Sequence, residues 1–381
     1  MGLTEWPAYA RLAFPISAAS GSLLELEGGG EVLDLYGGHC VNTLGAGDAG
    51  VLARLADQWQ RLSFATNLFE HAPRAEFLAQ FERNLPAGDW IVFASNSGAE
   101  ANENALKAAL AATGRATVVC FEGAFHGRTA AAAAVSDVAS SGYPRAPFDV
   151  LRLPWGDLDR AAEAIGTGVG CVLLEPIQSL AGVVEPPPGF LAGLRELCDR
   201  SGARLVFDEV QTGNGRLGVP WASQHYGVLP DLFTTAKGAG AGLPIGLTVA
   251  RSEIAASAGK GFLGSTFGGG PLVLAAAAEV ARRIAEPGLL EGVRRTSAAL
   301  REAALRGPVK AVRGVGLLLG LELTEGFGGR EVRDQLLDRG VLVGTSNDPS
   351  VLRLSPALTL DAGAAERLAA ALAALPVEVM S

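Results

Sequence analysis

The chain is short of several things, and each shortage removes a class of protein. Only 19% of its 381 residues are charged, and they sum to a net charge of −9. That balance makes nucleic acid or an anionic membrane surface a poor partner, a local basic pocket aside. Cysteine occurs four times, at 40, 120, 171 and 198, with no close pair. Buried free thiols are therefore expected, rather than a disulfide framework or a metal site. No stretch approaches the ~20 apolar residues of a membrane span, and residues 1–11 lack a basic start followed by an apolar run. A soluble, cytoplasmic protein is expected. No Gly-x-Gly-x-x-Gly follows a strand with an acidic residue beyond it, which argues against a nicotinamide-dependent dehydrogenase. Ser257-Ala258-Gly259-Lys260 lacks the spacing of a Walker phosphate loop. There is no internal repeat and no low-complexity tail.

What is present is ordinary globular chemistry: 49% apolar residues and 50 glycines, hence many tight turns. The length predicts two unequal domains. From about 90, short apolar strands alternate with amphipathic helices. Strands are predicted at Trp90–Ala94, Thr117–Phe121, Val150–Leu153, Cys171–Leu174, Arg204–Phe207, Leu232–Thr235 and Leu247–Ala250. Helices are predicted at 99–112, 157–165, 189–200 and 221–226. Near-continuous apolar strands alternating with helices predict an α/β fold, with a mostly parallel sheet covered on both faces. After about 258 the pattern changes to long helices, at 271–285 and 288–306, and then to a smaller α+β unit. Residues 1–45 read as short strands and turns. The expected division is a large domain at 46–257 and a discontinuous small domain of 1–45 with 258–381.

The polar residues fall at strand ends. In open parallel sheets, ligands bind outside the carboxyl ends of the strands. Here Trp90–Ala94 runs into Ser95-Asn96-Ser97-Gly98, and Thr117–Phe121 into Glu122 and then Phe125-His126-Gly127-Arg128. Cys171–Leu174 ends at Glu175, Arg204–Phe207 at Asp208-Glu209, and Leu232–Thr235 leads to Lys237-Gly238. Polarity resumes at any strand end, but five such ends together suggest one site. Ser95 to Glu100 joins a strand to a helix. Its small residues let backbone N–H groups approach an anion such as a phosphate, though an ordinary serine N-cap fits the same residues. A carboxylate behind Leu205-Val206-Phe207 is poorly solvated and wants a cationic partner; a protonated pyridine nitrogen, an ion pair or a cap would serve. A lysine in a desolvated site becomes a nucleophile toward carbonyls, whereas most lysines are solvated surface groups.

Taken in order, Ser97-Gly98-Ala99-Glu100-Ala101-Asn102-Glu103, Phe125-His126-Gly127-Arg128, Glu175-Pro176-Ile177-Gln178, Asp208-Glu209-Val210-Gln211-Thr212-Gly213, Lys237-Gly238 and Ser265-Thr266-Phe267-Gly268-Gly269 resemble the class III aminotransferases. The resemblance spans essentially the whole chain and is nearest the acetylornithine and ornithine branch. It implies the pyridoxal-phosphate-dependent transferase fold (fold type I, aspartate aminotransferase-like) and pyridoxal 5'-phosphate as cofactor. By the same resemblance Lys237 would carry the cofactor covalently and then shuttle a proton. Asp208 would hold the ring nitrogen protonated, Gln211 would bond the ring hydroxyl, and Phe125 and Val210 would pack on its two faces. Ser97, Gly98 and Ala99 would bind the phosphate. His126 would lie among the cofactor-binding residues, and Glu175 would scaffold the site. Thr266 would reach the phosphate of a neighbouring subunit, implying a homodimer. Arg128 and Arg353 match the family's carboxylate-binding arginines, for which the planar fork suits. The implied reaction moves a terminal amine from an N-acylated ornithine-like or lysine-like donor to 2-oxoglutarate by a ping-pong mechanism, in arginine or lysine biosynthesis.

The chain also departs from its relatives. They read Gln-Gly-Glu after Glu-Pro-Ile, where this chain has Gln178-Ser179-Leu180-Ala181-Gly182. Leu180 stands in place of a glutamate that gates the arginine equivalent to Arg353, so Arg353 is expected to stay free for a carboxylate in both half-reactions. His39 is near a substrate-contacting position, and either a structural or a pocket role fits a lone histidine. Gly270 and Leu217 read as tolerated loop changes. Two other readings stay open: an aminotransferase of the same family with another donor, and a catalytically silent relative that binds the cofactor.

Overall fold

The computed structural model describes residues 3–6, 8, 9, 11, 12, 14–137 and 148–376. Its centre is a seven-stranded sheet. In spatial order the strands are Trp90–Ser95, Gly246–Arg251, Leu232–Ala236, Arg204–Asp208, Val169–Leu174, Thr117–Phe121 and Asp149–Leu153. Gly246–Arg251 runs antiparallel to both of its neighbours, and the remaining pairings are parallel. The alternation of a strand accounts for the two covered faces. Val119, Phe121, Val172, Leu174, Leu205 and Phe207 point into one core, with Phe190, Leu194 and Cys198 of the helix Phe190–Ser201. Val118, Cys120, Cys171, Leu173 and Val206 point into the other, with Ala105, Leu106 and Ala109 of the helix Gly98–Thr113. All four cysteines are buried free thiols.

Two further four-stranded sheets build a second core. In one of them strand Glu31–Asp34 pairs in parallel with Val341–Leu342, joining the N-terminal strands to the C-terminal part of the chain. The helix Pro271–Ile284 does not belong there. Its Leu274, Ala277, Ala278 and Ala281 pack into the core under the large sheet. We propose that the large unit ends near residue 285 rather than at 257, because that helix buries its apolar face on it.

Two helices that the sequence pattern did not reveal precede the sheet, at Ala49–Arg61 and Ala72–Glu82. Their start signals are local: Asp48 accepts from the Val51 amide, and His71 accepts from the Arg74 amide with a proline in the first turn. In Ala72–Glu82 the apolar residues lie on both sides, which blurs the helical period, whereas Ala49–Arg61 keeps Val51, Leu52, Leu55 and Trp59 on one stripe. Phe77 and Phe81 are buried while Leu52, Trp59 and Leu78 face outward.

Candidate active site

Parallel strands bring their carboxyl ends to one edge, and that edge is where the polar residues converge. A cleft of about 460 Å³ is lined there by Ser97, Gly98, Ala99, Phe125, His126, Arg128, Glu175, Asp208, Val210, Gln211 and Lys237, among others. These side chains come from five loops. The sheet register, not proximity in sequence, assembles them.

Asp208 closes a strand whose three preceding residues, Leu205, Val206 and Phe207, are fully buried, and it is itself only 4% exposed. Burial of a carboxylate demands hydrogen-bond partners. Oδ2 accepts from Asn102 Nδ2 at 2.7 Å and lies 2.8 Å from His126 Nδ1; Oδ1 accepts from the Val210 amide at 3.0 Å. Asn102 is locked in turn, since it donates to the His126 carbonyl and accepts from the Thr234 hydroxyl. His126 therefore holds the carboxylate in place from behind. Its Nε2 has no partner among the described residues.

Lys237 follows the strand Leu232–Ala236 at a left-handed φ of 41°. Such a conformation costs a non-glycine residue energy and marks positions held by their surroundings. A Cβ at the next residue, Gly238, would meet the Thr43 hydroxyl and force that side chain to move. Burial lowers the Lys237 pKa from its ordinary value; Cys40, Asp208 and Glu175 oppose that shift and Arg353 adds to it. A lowered pKa raises the share of neutral, nucleophilic amine near neutral pH.

At the start of the helix Gly98–Thr113, Ser97 accepts from the Glu100 amide. The Gly98 and Ala99 amides, in the first turn, have no intrahelical acceptor and stay available to an anion. Small residues keep this approach open: a Cβ at Gly98 would stand 3.2 Å from a Val210 methyl, and one at Gly127 only 2.6 Å from the Ala99 Cβ. Glu175 accepts from the Phe125 amide at 2.9 Å and from the Ser179 amide at 3.3 Å. Burial pushes its pKa up to about 7, with His126 working against the shift.

Arg353 lies behind the cleft, 4% exposed. Its Nε donates to the Thr345 carbonyl at 2.7 Å, Nη1 to the Ser179 hydroxyl at 3.0 Å and Nη2 to the Tyr36 hydroxyl at 2.8 Å. Among the described residues no carboxylate pairs with it. Leu180 does not line the cleft; its carbonyl accepts from the Asn347 amide. Arg128 is exposed at the rim, its guanidinium 5.4 Å from the centre of the Phe125 ring.

His39 belongs to a left-handed turn in which Gly37, Gly38, His39 and Cys40 all have φ between 57° and 67°. Glycine takes this conformation freely, whereas each L residue in it is strained by about 1–2 kcal/mol. Asp34 caps the turn by accepting from the Tyr36 and Gly37 amides at 2.8 Å each. The turn aims Cys40 at Gln211 and Tyr36 at Arg353. His39 packs against Tyr36 with ring centres 4.6 Å apart and planes tilted by 52°, and it does not line the cleft. Thr266 does not line it either. It is exposed beside Ser265, whose hydroxyl accepts from Asn96 at 3.1 Å. Asn102, Ser179 and Tyr36 were missed as site residues. Asn102 stood inside a quoted motif, but nothing marked it as the partner of Asp208.

A helix N-terminus open to an anion, a buried carboxylate and a desolvated lysine share one cleft, and these groups fit a phosphorylated aromatic cofactor: amides would suit a phosphate, Asp208 a ring cation and Lys237 a carbonyl. Residues 7–375 match the family described as Aminotransferase class-III. The acetylornithine aminotransferase of Streptomyces coelicolor is 42% identical over 358 residues, covering 92% of this chain and 88% of that protein. That of Mycobacterium tuberculosis is 40% identical over 369 residues, covering 95% and 92%. Among solved structures, the N-acetylornithine aminotransferase of Stenotrophomonas maltophilia is similar at a TM-score of 0.81 and 32% identity, covering 97% of this chain and 98% of that one. The ornithine aminotransferase of Toxoplasma gondii, described with partial occupancy of PLP at its active site, is similar at 0.88 and 28% identity, covering 96% and 90%. The chain belongs to the class-III aminotransferase family. It is a transaminase, and its cofactor is pyridoxal phosphate.

Proposed function

We propose that this enzyme moves the terminal amine of an N-acylated ornithine-like or lysine-like donor to 2-oxoglutarate by a ping-pong mechanism. The observation that carries the reading is Arg353, a buried guanidinium held only by uncharged partners. A buried charge without a counter-ion is costly, and a substrate carboxylate supplies that counter-ion. The curated relatives named above, which carry the name acetylornithine aminotransferase, support the donor class.

The bound cofactor supplies an electron sink for the carbanion formed at the donor carbon. The chain supplies the rest. Lys237 would provide the amine that holds the cofactor and would carry the proton removed from the donor carbon. Asp208, fixed by Asn102 and His126, would keep the ring nitrogen protonated. The Gly98 and Ala99 amides, with Ser97, would hold the phosphate. Phe125 and Val210 would pack against the ring, and Gln211 would bond the ring oxygen. Arg353, with Arg128 at the rim, orients the substrate carboxylates. Convergence of Lys237, Asp208 and Gln211 on one cleft disfavours a silent relative.

Leu180 favours a second reading, a donor other than free ornithine or its acylated form. Comparing kcat/KM for N-acetylornithine, ornithine, 4-aminobutyrate and α-amino acids tests both. N-acetylornithine is expected to exceed ornithine by at least about tenfold, in line with discrimination by a few specific contacts. An ornithine value equal to the best donor's would refute the proposal. We also propose a homodimer in which Thr266 reaches the partner's phosphate site, because Phe64, Leu68, Phe69 and Phe267 are exposed apolar residues on the same chain. Light scattering then gives about twice the 39.1 kDa chain mass; a monomer at assay concentration contradicts it.

A further inference from the structure

The Ser179 hydroxyl touches both Gln211, which lines the cleft, and the buried Arg353 behind it. That hydroxyl, in a residue with 0% exposure, has a single proton and must place it. Arg353 has no acceptor, so Nη1 donates to Ser179 Oγ at 3.0 Å. The serine proton must then go to Gln211 Oε1, also 3.0 Å away. Cys40 Sγ lies on the same oxygen at 3.6 Å. Two donors on one oxygen fix the amide: Oε1 faces Ser179 and Nε2 is left for the cleft. The Ser179 amide is itself held by Glu175 Oε2, so the hydroxyl cannot drift.

The guanidinium is equally determined. Of its five N–H groups, three are used, on Nε, Nη1 and Nη2. One N–H remains on each terminal nitrogen, the number a carboxylate takes in a bidentate pair. A carboxylate that binds there draws on the same charge that polarises the Ser179 hydroxyl. In a buried chain of hydrogen bonds each member alters the next.

We propose that Ser179 is a positioning residue that couples carboxylate binding at Arg353 to the cofactor through Gln211. The proposal rests on the functional reading above and adds to it a communication path. It assigns Ser179 two effects: it preorganises Arg353 for a carboxylate, and it sets the orientation and donor strength of the Gln211 amide. The enzyme thereby registers at the cofactor whether a carboxylate substrate is in place, with no ionisable gate.

The test uses the cofactor-loaded enzyme and glutarate, a dicarboxylate with no amine or carbonyl to react. The readout is the pH midpoint of the cofactor's visible absorption, with and without saturating glutarate. In the wild type, glutarate shifts the midpoint. In Ser179→Ala, glutarate binds about tenfold more weakly, as loss of one hydrogen bond to a charged group implies, and at saturation the shift falls below half. Ser179→Thr keeps the hydroxyl and restores both. A saturating shift in Ser179→Ala equal to that of the wild type overturns the coupling, and so does failure of Ser179→Thr to restore it. Ser179→Gly serves as a second hydroxyl-free variant, and loss of cofactor from both variants also counts against a role confined to coupling. A wild-type protein with no visible band after addition of the cofactor defeats the functional reading instead, so the two failures are distinct.

Discussion

Lys237→Ala protein, supplied with pyridoxal phosphate, is expected to lose its visible chromophore and to turn over on the order of 10⁴-fold more slowly or worse. Two functions disappear together, covalent attachment and proton transfer, and each alone is worth orders of magnitude. Nothing nearby replaces the amine. Lys107 donates to the Phe262 carbonyl on the outer side of its helix, Lys310 pairs with Glu322, and both of these and Lys260 are exposed. Folding should survive, because the amine is desolvated and its removal relieves a burial cost. The direction of the Lys237 shift also sets a pH dependence: the neutral amine, and with it the rate of cofactor capture, rises with pH from below the ordinary lysine range. Borohydride reduction followed by peptide mapping checks the assignment. A reducible adduct on another lysine in Lys237→Ala would sink it.

The second large effect belongs to Asp208→Asn. The substitution preserves size but removes the charge that keeps a proton on the ring nitrogen, and kcat is expected to fall roughly 10²–10³-fold, the usual loss when one preorganised electrostatic group is removed. Unlike Lys237→Ala, this variant keeps its borohydride-reducible cofactor, since Lys237 and the phosphate amides are untouched. It also leaves a mismatch. Asn102 Nδ2 and His126 Nδ1 both face Oδ2 and the Val210 amide faces Oδ1, so the new amide turns its NH2 either on the Asn102 donor or on the Val210 N–H, whichever way it lies. A stability loss of about 1–3 kcal/mol is expected from that, visible as a lowered Tm. Activity within tenfold of the wild type, with cofactor bound, would remove Asp208 from its assigned role.

How far the chain is legible from sequence depends on the range of the interaction. Runs such as Leu205-Val206-Phe207 carry their own signal, and the structure extends that strand by one residue to Asp208. Polar residues at the ends of such runs reach one cleft because a parallel sheet leaves them no other edge. The helix at 72–82 carries a weak signal, because apolar residues such as Leu78 face outward and break the one-sided pattern; at 49–61 Val51, Leu52, Leu55 and Trp59 do form one stripe, of which the fold leaves Leu52 and Trp59 exposed. The buried network was invisible. Tyr36 and Arg353 are 317 positions apart, and Ser179 and Arg353 are 174 apart. No local pattern encodes such a meeting. His126 was grouped with the cofactor by its motif, and its geometry gives the more specific account: Nδ1 bears on Asp208. Leu180 was singled out for what it lacks. The hydroxyl that meets Arg353 is one residue earlier, on Ser179.

The central claim is that Lys237 and its neighbours hold pyridoxal phosphate to accept an amine from an acylated ornithine. The most direct measurement is the near-ultraviolet and visible spectrum of the purified protein before and after adding N-acetylornithine, with no keto acid present. The account predicts that the visible band of the bound cofactor decays while the near-ultraviolet band of its aminated form grows, by one equivalent per site. A visible band that N-acetylornithine leaves unchanged would contradict the assignment of the donor, and the absence of any visible band after adding pyridoxal phosphate would contradict the site itself.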